Sequence, residues 1–193
     1  MKKHHVRIVG GVYRKTPIPV IDVPGLRPTP DRVRETLFNW LQHLWSRDFS
    51  SRRVLDLFAG TGALGFEAAS RGVAHVQMVE SNRAAAARLH ALRDKLGAEQ
   101  VQIHVGDARR LLSRADTAPF DLILLDPPFG EDWFTPLWDK IPAVLGPQGL
   151  VYAESGSPLS PPESYEVLRQ GRAGQVHFQL SRLNPLSRNN GSA

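Results

Sequence analysis

The sequence predicts an α/β fold in which a largely parallel sheet is covered by helices on both faces, and three observations carry that prediction. From Arg53 onward, short continuous apolar runs alternate with helical stretches, the pattern of buried parallel strands joined by crossovers. One of these runs, residues 54–58, enters the glycine-rich turn Gly60-x-Gly62-x-x-Gly65, which opens a helix. Another, residues 122–126, stops at the consecutive prolines Pro127 and Pro128, which cannot continue a ladder.

The elements follow in order. Residues 6–14 alternate weakly about Gly10 and Gly11 and read as a short hairpin carrying Arg7, Arg14 and Lys15. Pro17, Pro19, Pro24, Pro28 and Pro30 then keep the chain extended. A helix is expected from Thr29-Pro30-Asp31, with Thr29 as its N-cap and Asp31 at the positive end of its dipole. Its apolar stripe is Val33, Leu37, Trp40, Leu41 and Leu44, which leaves Arg32 and Arg34 free to face a ligand. Strands are expected at 54–58, 76–80, 101–106, 122–126 and 150–154, with helices around 63–70, 82–96 and 133–145. Residues 165–169 and 175–183 flank a Gly-containing turn and read as a closing hairpin.

A chain of 193 residues with 41% hydrophobic content suffices for one domain. The expected division is a basic N-terminal extension over 1–50, a core over 51–183 and a flexible tail over 184–193. The absence of cysteine excludes disulfides and thiolate metal sites, and the scattered histidines show no metal-ligand spacing. No apolar stretch approaches the roughly 20 residues needed to cross a bilayer, and the start lacks a signal-like run, so the expectation is a cytoplasmic protein without membrane or metal. Residues 1–53 hold 11 Lys and Arg against 4 Asp and Glu, whereas residues 54–193 hold 13 against 15. A basic extension on a near-neutral core suits a phosphate-rich partner, because each neutralised phosphate releases counterions.

The glycine turn serves any cofactor with a ribose and a polar tail. Its glycines allow close backbone approach, and the helix after it offers free amides. Glu80, at the end of the next strand, is placed to accept from ribose hydroxyls, with Ser81 beside it. A nicotinamide dinucleotide fits this much equally well. Asp56 decides for S-adenosylmethionine: a carboxylate inside the strand before the turn can hold the ammonium of a methionine moiety, where a dinucleotide enzyme has an apolar residue. Phe58, Gly60, Thr61 and Gly62 complete that end of the pocket. Asp107 and Ala108 follow the third strand, where Asp107 either meets an adenine amino group or caps the next segment.

Asp126-Pro127-Pro128-Phe129 lies at the carboxyl end of a central strand, where open parallel sheets bind ligands. An exocyclic amine is a poor nucleophile because its lone pair is delocalised into the ring. Hydrogen bonds from its two N–H groups to the Asp126 carboxylate and the Pro127 carbonyl would turn that lone pair toward a methyl donor, while Phe129 stacks on the base. Trp133 is a candidate lid just beyond.

Arg7-Ile-Val-Gly-Gly, the stretch from Gly25 to Trp40, the Asp56-to-Gly65 loop, Asp126-Pro-Pro-Phe129 and Tyr152-x-Glu154 resemble, in order, the bacterial small-subunit rRNA guanine-N2 methyltransferases of the RsmD type. The similarity covers roughly residues 6–183. It implies a class I methyltransferase fold, Rossmann-like, with seven strands and an antiparallel last hairpin. It also implies S-adenosylmethionine as donor and a guanine of 16S rRNA in a maturing small ribosomal subunit as acceptor; the chain is further expected to be a monomer. Arg7, Arg14, Arg27, Arg32 and Arg34 are then the RNA-facing cations. The competing readings are an amino-methyltransferase for DNA adenine or protein glutamine, a nicotinamide-dependent oxidoreductase, and a non-catalytic RNA-binding assembly factor.

Overall fold

The computed structural model describes residues 6–20, 29–113, 118–128 and 130–184. In chain order the elements are β1 (Val6–Arg7), β2 (Pro17–Ile18), α1 (Asp31–Leu44), β3 (Arg53–Asp56), α2 (Ala63–Ser70), β4 (His75–Glu80), α3 (Arg83–Leu96), β5 (Val101–Val105), α4 (Ala108–Leu112), β6 (Phe120–Leu125), α5 (Phe134–Trp138), a 3-10 turn (Ile141–Ala143), β7 (Leu145–Ser155), β8 (Tyr165–Ala173) and β9 (Val176–Leu183). Seven strands form one sheet in the order β5-β4-β3-β6-β7-β9-β8. The pairs from β5 through to β7 are parallel, and β9 runs antiparallel to both β7 and β8.

The unbroken apolar run of β6 is explained by burial on both sides. Leu122 and Leu124 join an apolar cluster with Val54, Val76, Met78, Tyr152 and the helices α1 to α3, while Ile123 and Leu125 join a second cluster with Leu55, Val79, Val151, Leu137 and Trp138. Because side chains alternate across a strand, one face is packed by each set. The chain winds outward from β3 through β4 to β5, then returns to place β6 on the other side of β3. The carboxyl ends of β3 and β6 therefore meet where the winding direction reverses, the position at which open α/β sheets bind ligands.

The N-terminal hairpin is wider than the sequence suggests. Val6 pairs with Ile18, the Ile8 amide donates to the Thr16 carbonyl at 3.0 Å, and Lys15 N–H donates to the Ile8 carbonyl at 2.8 Å. Gly10 and Gly11 are a docking point rather than the turn itself. At Gly11, with φ +77°, an added Cβ would lie 1.8 Å from the Ser70 carbonyl oxygen at the end of α2. No other residue could make that approach. Val6, Ile8, Ile18, Val33, Leu37, Phe38 and Leu41 share the first apolar cluster with the sheet, so β1, β2 and α1 contribute to the main core.

Three further expectations are corrected. The helix expected over 133–145 is only α5, followed by the 3-10 turn, because Pro142 has no amide to extend a helix; β7 then begins at Leu145. β8 continues to Ala173, and its link to β9 is the two residues Gly174 and Gln175. The stripe of α1 is Val33, Arg34, Leu37, Phe38 and Leu41; Leu44 is exposed, and Trp40 packs beside it on Phe178, with ring centroids 5.5 Å apart. The expected tail lies outside the described residues except for Asn184.

Candidate active site

Three carboxylates stand in a row at the carboxyl ends of adjacent strands. Asp56 ends β3 opposite Leu124, Asp126 follows β6, and Glu154 lies near the end of β7, where Ala153 faces Leu125. By strand alternation all three share the sheet face of Val54, Leu122 and Tyr152, the face packed by α1 and α2. The chain thus converges three carboxyl groups on one spot below the N-terminal helix.

Asp56 is almost wholly buried. Its Oδ2 accepts the Gly65 amide at 3.1 Å, and its Oδ1 is buried with no hydrogen-bond partner among the described residues. Burial pushes its carboxyl up to about 7, with the nearby Asp126 charge adding to the rise and the Phe58 and Gly65 amides opposing it. An unfilled buried acceptor of this kind is costly and calls for a donor from outside the chain. Gly62, with φ +81°, opens α2 as its N-cap; a Cβ there would lie 2.6 Å from Leu89 and 2.7 Å from Phe66, so the turn requires glycine.

Glu80 links the glycine turn to the start of α3. Its Oε2 accepts from Gly60 N–H at 2.9 Å and its Oε1 from Asn82 N–H at 2.7 Å. Each oxygen keeps a second lone pair for a hydroxyl donor. Asn82 in turn caps α3 by accepting from the Ala84 and Ala85 amides. Thr61 is partly accessible, and Ser81 is exposed beside Glu80.

Asp107 caps α4, its Oδ1 accepting the Arg109 amide at 2.8 Å. Arg109 also grips the same carboxylate through its guanidinium, which holds the Asp107 carboxyl below its usual range. The capping alternative is therefore realised. Arg109 lies 4.5 Å from the Trp133 ring centroid, and Trp133 meets Phe58 edge to face at 5.2 Å. These contacts stand beside Ala108, which is buried.

Asp126 is enclosed by protein on most sides yet keeps a solvent-accessible edge, as in a cleft. Desolvation raises its carboxyl above the ordinary range, opposed by a hydrogen bond from Thr29. Thr29 Oγ1 donates to Asp126 Oδ2 at 3.1 Å. This corrects the expected N-cap: Pro30 occupies that position, and the Thr29 side chain turns into the site instead. Pro127 is buried and Pro128 exposed, while Phe129 lies outside the described residues. Glu154 accepts the Tyr152 hydroxyl at 2.8 Å, and burial followed by the Asp126 charge raises its carboxyl well above the usual range.

The basic residues divide sharply. Arg7, Arg14 and Arg32 are exposed, and Arg27 lies outside the described residues. Arg34 is fully buried, contrary to the expected ligand-facing position. Its Nη2 donates to the Asp31 carboxylate and the Arg7 carbonyl, both at 2.6 Å. Desolvation lowers its pKa, and the charges of Asp31, Glu67 and Glu154 counter that effect. It serves as counter-charge to buried acids and has no surface to offer RNA.

The family model described as "Conserved hypothetical protein 95" matches residues 6–182. Ribosomal RNA small subunit methyltransferase D of Escherichia coli K12 is 38% identical over 183 residues, covering 91% of this chain and 88% of the relative. The chain belongs to this methyltransferase D family. The enzyme of the same name from Haemophilus influenzae is 36% identical over 187 residues, 92% of this chain and 94% of its own length. A solved Escherichia coli structure assigned to the methyltransferases superposes with a TM-score of 0.81 at 35% identity, covering 93% of this chain and 98% of that one. The sheet, with β9 inserted antiparallel between β7 and β8, is the class I methyltransferase sheet.

S-adenosylmethionine fits the residues of this methyltransferase D family member on the structure's own terms. The orphaned Asp56 Oδ1 suits an ammonium donor, and Glu80 has lone pairs to spare for ribose hydroxyls. Reading the sequence missed Thr29, Tyr152 and Glu154 as members of the site. The signal for Glu154 was its place at the end of a strand beside β6, but a glutamate there reads equally well as a solvated strand terminus.

Proposed function

We propose that this chain transfers the methyl group of S-adenosylmethionine to the exocyclic N2 of a guanine in 16S rRNA, acting on the small ribosomal subunit as it matures. The observation that carries the reading is the desolvated Asp126 carboxylate at the rigid Pro127-Pro128 corner, in the same row as the unfilled Asp56. The relatives named for small-subunit rRNA support the substrate class.

The bound cofactor supplies an electrophilic sulfonium methyl. Asp56 holds its ammonium, Glu80 its ribose, and the region of Asp107, Ala108 and Phe58 its adenine. Asp126 does the work on the acceptor. Guanine presents an amine N–H beside a ring N–H, two donors in line, whereas adenine and cytosine place a ring acceptor next to the amine. An acceptor-only carboxylate can take the amine N–H of any of these bases, and guanine alone offers the neighbouring ring N–H as a second donor. Accepting from the amine, with the Pro127 carbonyl as a second acceptor, turns the nitrogen lone pair out of conjugation and toward the methyl. Orientation of this kind can contribute roughly 7–11 kcal/mol to a displacement. The methylated nitrogen is strongly acidic, and Asp126, with its raised proton affinity, is placed to receive the proton it sheds. Arg7, Arg14 and Arg32 supply exposed positive charge for the RNA backbone; the sequence adds Arg27 as a further cation and Phe129 as a stacking partner for the base, both outside the described residues.

The test is tritium transfer from labelled S-adenosylmethionine to small subunits from cells lacking the protein, followed by nucleoside analysis. Labelled N2-methylguanosine is the expected product. Asp126→Ala should abolish labelling while leaving S-adenosylhomocysteine affinity nearly intact. Label in another nucleoside, or in protein, would refute the assignment.

A further inference from the structure

The contact between Thr29 and Asp126 joins residues 97 positions apart. Thr29 is 4% exposed, so its hydroxyl serves the interior. Both partners precede proline, Thr29 before Pro30 and Asp126 before Pro127. A following proline confines each backbone to the extended region, and the β-branched Thr29 side chain has few rotamers to choose among. Two stiff segments therefore meet through one hydrogen bond.

That bond stands beside a second carboxyl. The Thr29 hydroxyl favours the charged form of both Asp126 and Glu154, and the Asp126 charge raises the Glu154 carboxyl. Two adjacent carboxyls deprived of another donor share a proton with each other. In this site such sharing would draw Asp126 toward Glu154 and occupy an oxygen the acceptor amine needs. Thr29 supplies the donor, while Tyr152 supplies one to Glu154 from the other side. The segment bearing Thr29 is itself held down: Arg34, fully buried, ties Asp31 in the first turn of α1 to the Arg7 carbonyl on β1.

We propose that Thr29 is a positioning residue for methyl transfer: its hydroxyl fixes the Asp126 carboxylate with Oδ1 free for the acceptor amine, so that turnover depends on the N-terminal elements being seated on the sheet. This rests on Asp126 being the ligand of the acceptor amine. Thr29 touches neither cofactor nor substrate; it acts through Asp126.

The experiment compares wild type, Thr29→Val and Thr29→Ser as full-length proteins, with small subunits as substrate. Thermal midpoints and S-adenosylhomocysteine affinities are measured alongside. Thr29→Val should lower kcat by about 10- to 100-fold, the scale of a misplaced reacting group. The KM for subunits and the affinity for S-adenosylhomocysteine should stay within about twofold. Loss of the hydrogen bond should also raise the Asp126 pKa, so the acid limb of the kcat profile moves to higher pH. Thr29→Ser keeps the hydroxyl and should restore both kcat and the limb. A Thr29→Val enzyme with wild-type kcat and pH profile, or a Thr29→Ser enzyme equally impaired at an unchanged thermal midpoint, would overturn the positioning role. If Thr29→Val does not fold, the decision rests on Thr29→Ser alone: a wild-type profile supports the role and a shifted one refutes it. Failure of the wild type to label any guanine would defeat both the functional reading and this one, whereas labelling by wild type with an unimpaired Thr29→Val defeats only this one.

Discussion

Glu67 and Asp56 are both carboxylates with almost no exposed surface, and they lie on the same side of the sheet, yet their surroundings differ completely. Glu67, on α2, has every oxygen engaged: Oε2 accepts Val9 N–H at 2.7 Å, and Oε1 accepts Gly10 N–H at 2.8 Å and the Arg71 guanidinium at 2.9 Å. Asp56 has one oxygen on the Gly65 amide, while the other makes no close hydrogen bond among the described residues and has only the Phe58 amide to favour its charge. The first carboxylate is satisfied by the chain and fastens the N-terminal hairpin to α2. The second is open to a donor from a bound ligand. Burial alone therefore does not mark a functional acid in this fold; an unfilled acceptor does.

The contrast can be broken most severely at Glu67. Glu67→Leu strands two amides and the Arg71 charge, and loss of one partner from a buried charged network typically costs about 3–5 kcal/mol. Chemical denaturation should show a loss of that size, and a change below about 1 kcal/mol would mean the hairpin is not held there.

Asp56→Asn should act in the opposite direction on the ligand-free protein. The folded-state pKa of Asp56 is raised from 3.8 to about 7, so the native state binds more protons than the unfolded chain between those values. Stability is then greatest at the acid end of that window and declines as pH rises toward 7. At about 1.4 kcal/mol per unit, the decline from this group is at most about 4 kcal/mol. Denaturation midpoints at pH 5 and pH 8 should converge in the variant, with stability gained at pH 8 and S-adenosylhomocysteine affinity lost. A variant less stable than wild type at pH 8 would show that the carboxylate is satisfied after all.

The smallest effect distinguishes two arginines on one helix. Arg32→Ala should reduce the salt slope of RNA binding by about 0.7 to 0.9, one phosphate's share, at unchanged stability. Arg34→Ala should unfold the protein more readily and leave the slope alone, because its guanidinium is buried among Asp31, Glu67 and Glu154.

How far the sequence was legible follows from the range of the interactions. The apolar run of β6, the glycine turn and the Pro127-Pro128 corner are local signals, and each marked its element and its place in the sheet. Asp56 and Asp126 were visible because each adjoins a local signal, the glycine turn and the two prolines, whereas Glu154 adjoins none. Thr29 was misread as a cap because Thr-Pro-Asp is also a good local helix start, and only tertiary packing brings it to Asp126. Arg34 was misread because a charged side chain does not register in a hydropathy stripe, although its spacing to Phe38 and Leu41 is that of the buried face. The wide N-terminal hairpin was hidden for a similar reason: Gly10 and Gly11 look like a turn, and their true requirement is contact with Ser70 on another element.

The most direct test of the contrast between the two carboxylates is the proton count on cofactor binding. Titration calorimetry of S-adenosylhomocysteine at pH 7, repeated in buffers of different ionisation enthalpy, measures protons released per site. With its carboxyl raised to about 7, Asp56 is partly protonated before binding and becomes charged when it meets the ligand's ammonium. The wild type should release more protons than Asp56→Asn; equal release by the two proteins would contradict the assignment of Asp56 as the cofactor's anchor.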